Sequence, residues 1–278
     1  MDWDKGGGIA SFDGSTWTVY NTANTGLPSD LVRAITIDGS GTKWFGTRRG
    51  IASFDGSKWT VYNKDNSGLP DNDVRAITID GSGTKWIGTW GGLASFDGNT
   101  WQVYSKYNSG LPDYYITSIA IDGSGTKWFG TLYGGIASFD GSTWKVYSAA
   151  NSGLPNDTVL SIAIDGNGTI WFGTNQGGIA SFDGSSWHVY NSDNSGLPDN
   201  NVLSIAIDGN GTKWIGTHQG GIASFNGSTW RVYNSDNSGL PNDRVSSIAI
   251  DGSGTIWIGT YGGVATFNEN GINNSVNE

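Results

Sequence analysis

Apolar and polar residues alternate along this chain in short bursts that recur. Val32–Asp38 (VRAITID) places apolar groups on both sides of an extended segment. Thr42–Thr47 (TKWFGT), Ile51–Phe54 (IASF) and Trp59–Tyr62 (WTVY) follow, separated by DGSG, a short glycine turn and DGSK. Short runs of β-branched and aromatic residues bounded by Gly, Asp and Ser predict antiparallel hairpins. No stretch has the 3.6-residue period of a helix.

The bursts form a repeat. Near-copies of the stretch from Gly26 to Asn63 begin at Gly68, Gly110, Gly153, Gly196 and Gly239, 42 or 43 residues apart. Such a period marks an architecture whose repeats bury their apolar faces against one another. Four strands in each of six repeats predict an all-β fold, a single six-bladed β-propeller with four antiparallel strands per blade. Trp44, Trp86, Trp128, Trp171, Trp214 and Trp257 hold one repeated place, and Trp17, Trp59, Trp101, Trp144, Trp187 and Trp230 another. Residues so large and so regularly placed are expected in the core. Residues 1–8 read as an N-terminal extension, 9–268 as the propeller and 269–278 as a linker or tail. The last repeat loses its pattern after Val264–Phe267, so an N-terminal strand, Thr16–Tyr20, is expected to close the ring as its fourth strand. The third strand exists in two copies, Ile9–Asp13 and Val264–Asn268, and the C-terminal copy is favoured for its short connection.

Composition narrows the function. The formal net charge is −10, with no basic footprint for nucleic acid. Cysteine is absent, which removes disulfides and thiolate metal sites. No apolar run reaches the ~20 residues of a membrane span. Met1–Asp4 reads as a trimmed start, and the tail suggests a longer parent chain. A monomer without membrane insertion is expected.

The motif GLPxxxV…IAIDxxGxxWxGTxxGGIAxF stands here as Gly153-Leu154-Pro155, Ile162–Asp165, Gly168, Trp171–Thr174 and Gly177–Phe182. It resembles the two-component regulator propeller repeat, over about residues 9–268. That resemblance implies an extracytoplasmic sensor domain of a bacterial signalling protein, often one for glycans, or a module of a secreted or surface protein. Such sensors usually carry more repeats, a further β-domain, a membrane span and a kinase, none of which is present in this sequence. The more distant streptogramin lyases share a similar propeller and act through a metal with His and Glu.

The parts for such chemistry are scarce. Glutamate occurs only at 269 and 278, outside the blades, and histidine only at 188 and 218. A positioned acid–base pair is therefore not expected, nor a cofactor. The DGSGT loops resemble calcium loops but offer one carboxylate each, so a turn capped by Asp is the favoured reading and no metal is expected. Asn167-Gly168-Thr169 and Asn226-Gly227-Ser228 match glycosylation acceptors, a pattern common by chance.

Differences between the repeats carry more information. They gather in the loop after the second strand and in the residues after each GLP, which alternating strand direction puts on one rim. The loop carries Arg48 and Arg49, Trp90, Leu132 and Tyr133, Asn175 and Gln176, His218 and Gln219, and Tyr261. The segments after proline add Asp73, Tyr114, Tyr115, Asn201 and Arg244. Aromatic faces with a few oriented polar groups suit a small-molecule or sugar site. The expected function is non-enzymatic ligand binding there, with carbohydrate implied by the family resemblance. A protein-interaction or spacer module is the alternative.

Overall fold

A computed structural model describes residues 6–268 and the backbone of 271–273. It is an all-β six-bladed propeller, each blade a four-stranded antiparallel sheet with its strands in chain order. In the first blade these are Val32–Ile37, Lys43–Thr47, Gly50–Phe54 and Trp59–Tyr62. One single-turn helix, Ser235–Ser238, is found among the described residues. By packing, the chain divides into two units, residues 1–129 with 137–145, and residues 130–136 with 146–278.

The repeated residues explain each blade. In every DGxGT loop an aspartate ties the turn. Asp80 Oδ1 accepts the N–H groups of Ser82 and Thr84 at 3.0 Å, and Oδ2 accepts Trp86 Nε1 at 3.0 Å. The same indole bond recurs at Asp38, Asp122, Asp165, Asp208 and Asp251. Gly83 completes the turn at φ 84°, a region that a Cβ disfavours. The carboxylate therefore serves the turn and the core tryptophan, as the turn reading expects.

Blades stack through those indoles. In the first unit Trp44 and Ile51 pack with Leu69, Val74 and Ile77 of the next blade. In the second unit Trp171 and Ile179 pack likewise with Leu197, Val202 and Ile205. A lysine from the following blade covers the same group. Lys85 Nζ lies 3.9 Å from Asp38 and 5.1 Å from the Trp44 ring, and Lys213 lies 3.6 Å from Asp165 and 4.7 Å from Trp171. The leucine of each GLP is buried in all six repeats. Its glycine is needed for contact, since a Cβ on Gly68 would stand 2.3 Å from Trp101 Cβ.

Three expectations need correction. Trp17–Tyr20 does not pair beside Val264–Phe267; its partner is Ile9–Phe12, in a separate two-stranded sheet. The outer edge of Gly263–Asn268 is taken instead by Gly271–Asn273, a strand within the stretch read as tail. Both copies of the third strand thus have places, because each meets a following segment that can return in a hairpin. Trp17 is 44% exposed and Trp257 half-buried, so the two tryptophan ladders are not uniformly core. The N-terminal hairpin packs on the first blade through Ile9, which joins Leu27, Phe45 and Ala52. It supplies no second-strand indole, and Ile35 and Ile37 stay 57% and 60% exposed where Ile77 is 7%.

Candidate functional site

The variable loops are held by invariant ones. Thr89 Oγ1 donates to Gly92 O at 2.8 Å and accepts Gly91 N–H at 3.1 Å. The residue after the threonine then donates its N–H back to the segment preceding the first strand: Trp90 to Asp73 O, Asn175 to Thr158 O, His218 to Asn201 O, Tyr261 to Arg244 O. Because the backbone is fixed by main-chain and threonine bonds, the side chain at this position is released from structural duty. That is why it can differ in every repeat.

In the first unit the structure gathers several of the expected residues into a strip. Trp90 is 42% exposed. The Arg75 guanidinium lies over its ring at 4.2 Å, and the Tyr115 ring stands edge-on to it at 5.3 Å. Tyr114 continues the line, 6.5 Å from Tyr115, and its hydroxyl donates to Tyr107 at 2.6 Å. Lys106 Nζ sits 4.3 Å from the Tyr114 ring. The bond to Tyr107, with Lys106 beside it, lowers the pKa of the Tyr114 hydroxyl, while that of Tyr107 is raised by the same bond.

The strip's other end is cationic. Asp73 is shared by two arginines, with Arg33 Nε donating to Oδ1 at 3.1 Å and Arg75 Nη2 to Oδ2 at 3.1 Å. Burial pushes the Arg75 guanidinium below its usual value; Asp73 opposes this, and the charges of Arg33 and Arg48 add to it. Arg48 and Arg49 also line a cleft of about 540 Å³ with Thr22, Ser29 and Asp30. Arg33, Arg75 and Tyr107 were not among the residues singled out from sequence. The signal was present, since the second position of the first strand reads Arg33, Arg75, Thr117, Leu160, Leu203, Ser246. In that strand the apolar core pattern masks it.

In the second unit, Tyr133 is exposed. Gln176 takes a left-handed φ of 62° and donates its N–H to Asn201 Oδ1 at 3.1 Å. His218, Gln219 and Arg244 line a cleft of about 380 Å³ with Asp243. Asp243 already accepts the Ser235 N–H and hydroxyl. Arg244 lies 5.5 Å from the Tyr261 ring. His188 stands on a fourth strand, opposite Ser181. Among the described residues no three His, Cys, Asp or Glu side chains gather as a metal group would.

Residues 153–176, 196–219 and 239–262 match the two component regulator propeller. Three of the six repeats are thus similar to the two component regulator propeller. Each matched segment runs from GLP through the second strand and ends within the variable loop, so what defines the repeat is the scaffold beneath the candidate site. No curated protein matches the sequence. Among solved structures, the extracellular domain of a hybrid two component system from B. thetaiotaomicron is similar at 26% identity and TM-score 0.76, over 89% of this chain and 34% of that one. PorZ, a surface component of the type-IX secretion system of Porphyromonas gingivalis, aligns at 20% identity and TM-score 0.72, over 92% of this chain and 42% of that one. Virginiamycin B lyase from Staphylococcus aureus shares the fold at 18% identity and TM-score 0.72, over 87% of this chain and 83% of that one. This chain thus spans about a third of the length of that extracellular domain. No helix among the described residues is long and apolar enough to cross a membrane.

Proposed function

We propose that this chain is a non-enzymatic extracytoplasmic propeller domain that binds a carbohydrate along the strip from Trp90 to Tyr107. The observation that carries the reading is an exposed indole on a loop whose backbone is already satisfied, continued by three tyrosines. Aromatic rings set edge-on to one another along the strip offer faces that suit the apolar faces of sugar rings, and the tyrosine hydroxyls and neighbouring charged groups suit their hydroxyls. Similarity to a sensor's extracellular domain supports both the ligand-binding role and the location. Against lyase chemistry stands the placement of the two histidines, one on an outer strand and one beside an aspartate committed to Ser235.

The test is binding to an immobilised panel of oligosaccharides. Trp90→Ala is expected to weaken binding by about 1–3 kcal/mol, the worth of such a side chain's contact area, with the melting temperature unchanged. Lys43→Ala, an exposed residue whose ammonium donates to Gly41 O, should change neither. Capture of a protein partner without any glycan binding would favour the interaction-module reading instead.

A further inference from the structure

Four of the six arginines in the chain, Arg33, Arg48, Arg49 and Arg75, fall within the first two repeats, in a protein whose formal net charge is −10. Arg33 and Arg75 lie 42 positions apart in sequence, at equivalent places on adjacent blades, and the fold brings both onto one carboxylate. All three side chains are only partly exposed, at 27%, 23% and 17% for Arg33, Arg75 and Asp73. The nearby Asp71 is turned to the backbone, its Oδ1 accepting the Asp73 N–H at 2.7 Å.

Each guanidinium offers five N–H donors in one plane. The hydrogen bonds to Asp73 use one from Arg33 and one from Arg75. Arg75 Nε lies 3.0 Å from Asp73 Oδ1 but lacks the alignment of a hydrogen bond and has no other partner. Stacking on Trp90 fixes the plane of Arg75 without occupying its in-plane donors. Two planar forks are therefore held in place around a single carboxylate, with donor capacity beyond what it uses. Carboxylates are the planar partners such forks recognise.

We infer that the saccharide bound on the strip is acidic, its sugar rings on Trp90 and Tyr115 and a uronate carboxylate on Arg33 and Arg75. The inference rests on the carbohydrate reading above and sharpens it to a ligand class. Asp73 acts as the spacer that keeps two cations side by side in the absence of ligand.

The experiment is calorimetric titration of the full chain with an oligosaccharide of glucuronic acid, its methyl ester, and a sulfated neutral oligosaccharide of equal length. The acid is expected to bind at least tenfold more tightly than the ester. Arg33→Gln should abolish that preference, bringing the affinity for the acid down to that for the ester. Arg75→Gln should do the same, but it also removes the Trp90 stack, so Arg33→Gln is the cleaner variant. Arg231→Gln, on a fourth strand, should bind as the unaltered chain does, and each variant's melting curve checks its fold. Equal affinity for acid and ester overturns the inference while leaving the carbohydrate reading intact if binding depends on Trp90. Tighter binding of the sulfated sugar overturns the carboxylate assignment. An acid preference that survives Arg33→Gln also overturns it, and binding of none of the three overturns both readings.

Discussion

Single glycines and aspartates in this chain have duties that the contacts define. Gly68 meets the Trp101 side chain so closely that an added Cβ would fall 2.3 Å from Trp101 Cβ, whereas one on Gly39 would meet nothing within 4 Å. Gly68→Ala is expected to destabilise the protein by about 1–3 kcal/mol, as overpacking does, and Gly39→Ala to be close to neutral. Urea denaturation of the two variants measures this, and equal midpoints would show that the GLP segment can shift. The role of these glycines was legible as a repeated GLP, but the reason for it was not. The tryptophan that excludes a side chain lies 33 positions further along the sequence. Trp90 shows the same limit: its freedom from the blade was readable from variation, but its stack on Arg75 was not.

At the scale of the element, the N-terminal hairpin is the part whose role changed. Because Trp17–Tyr20 pairs only with Ile9–Phe12, the first and last blades each keep four strands without it. Its hold on the first blade is the burial of Ile9 against Leu27 and Phe45 and the contact of Tyr20 with Trp59 at 6.4 Å. Deleting residues 1–21 should therefore cost about 3–6 kcal/mol, the burial of two such side chains, and leave the far-ultraviolet sheet signal in place. A deletion that unfolds the protein outright would restore the closure role first assigned to this strand. Removing residues 269–278 should instead bare the edge of Gly263–Asn268 and promote aggregation, followed by light scattering.

At the scale of the whole molecule, the repeated Asp–Trp turn makes stability acid-sensitive. Burial works against the charge of Asp38, but hydrogen bonds from Ser40, the Trp44 indole and the Thr42 N–H outweigh it and hold the group at about 2. Asp251 is likewise held at about 2, and Asp80, Asp122 and Asp165 are lowered by the same kinds of bond. A carboxylate whose folded value lies below its unfolded value, about 3.9, stabilises fully above that value and loses the contribution as pH falls toward 2. The urea midpoint should hold steady from pH 7 to about 5, then drop steeply between about 4 and 2. A midpoint unchanged at pH 2.5 would mean that the turns do not depend on charge.

The sequence by itself determined the strands, their turns, the six blades and the loops free to vary. Each of those follows from interactions within a few residues or from a period that the chain repeats six times. Tertiary structure alone decided which segment completes the last blade, since Gly271–Asn273 takes that edge without the WxVY pattern that Trp17–Tyr20 carries. It also decided which tryptophans are covered, because an indole is buried only where another blade lies over it. The pairing of Arg33 with Asp73, 40 positions apart, was likewise set when neighbouring blades came together. That is where the candidate site acquired its charge.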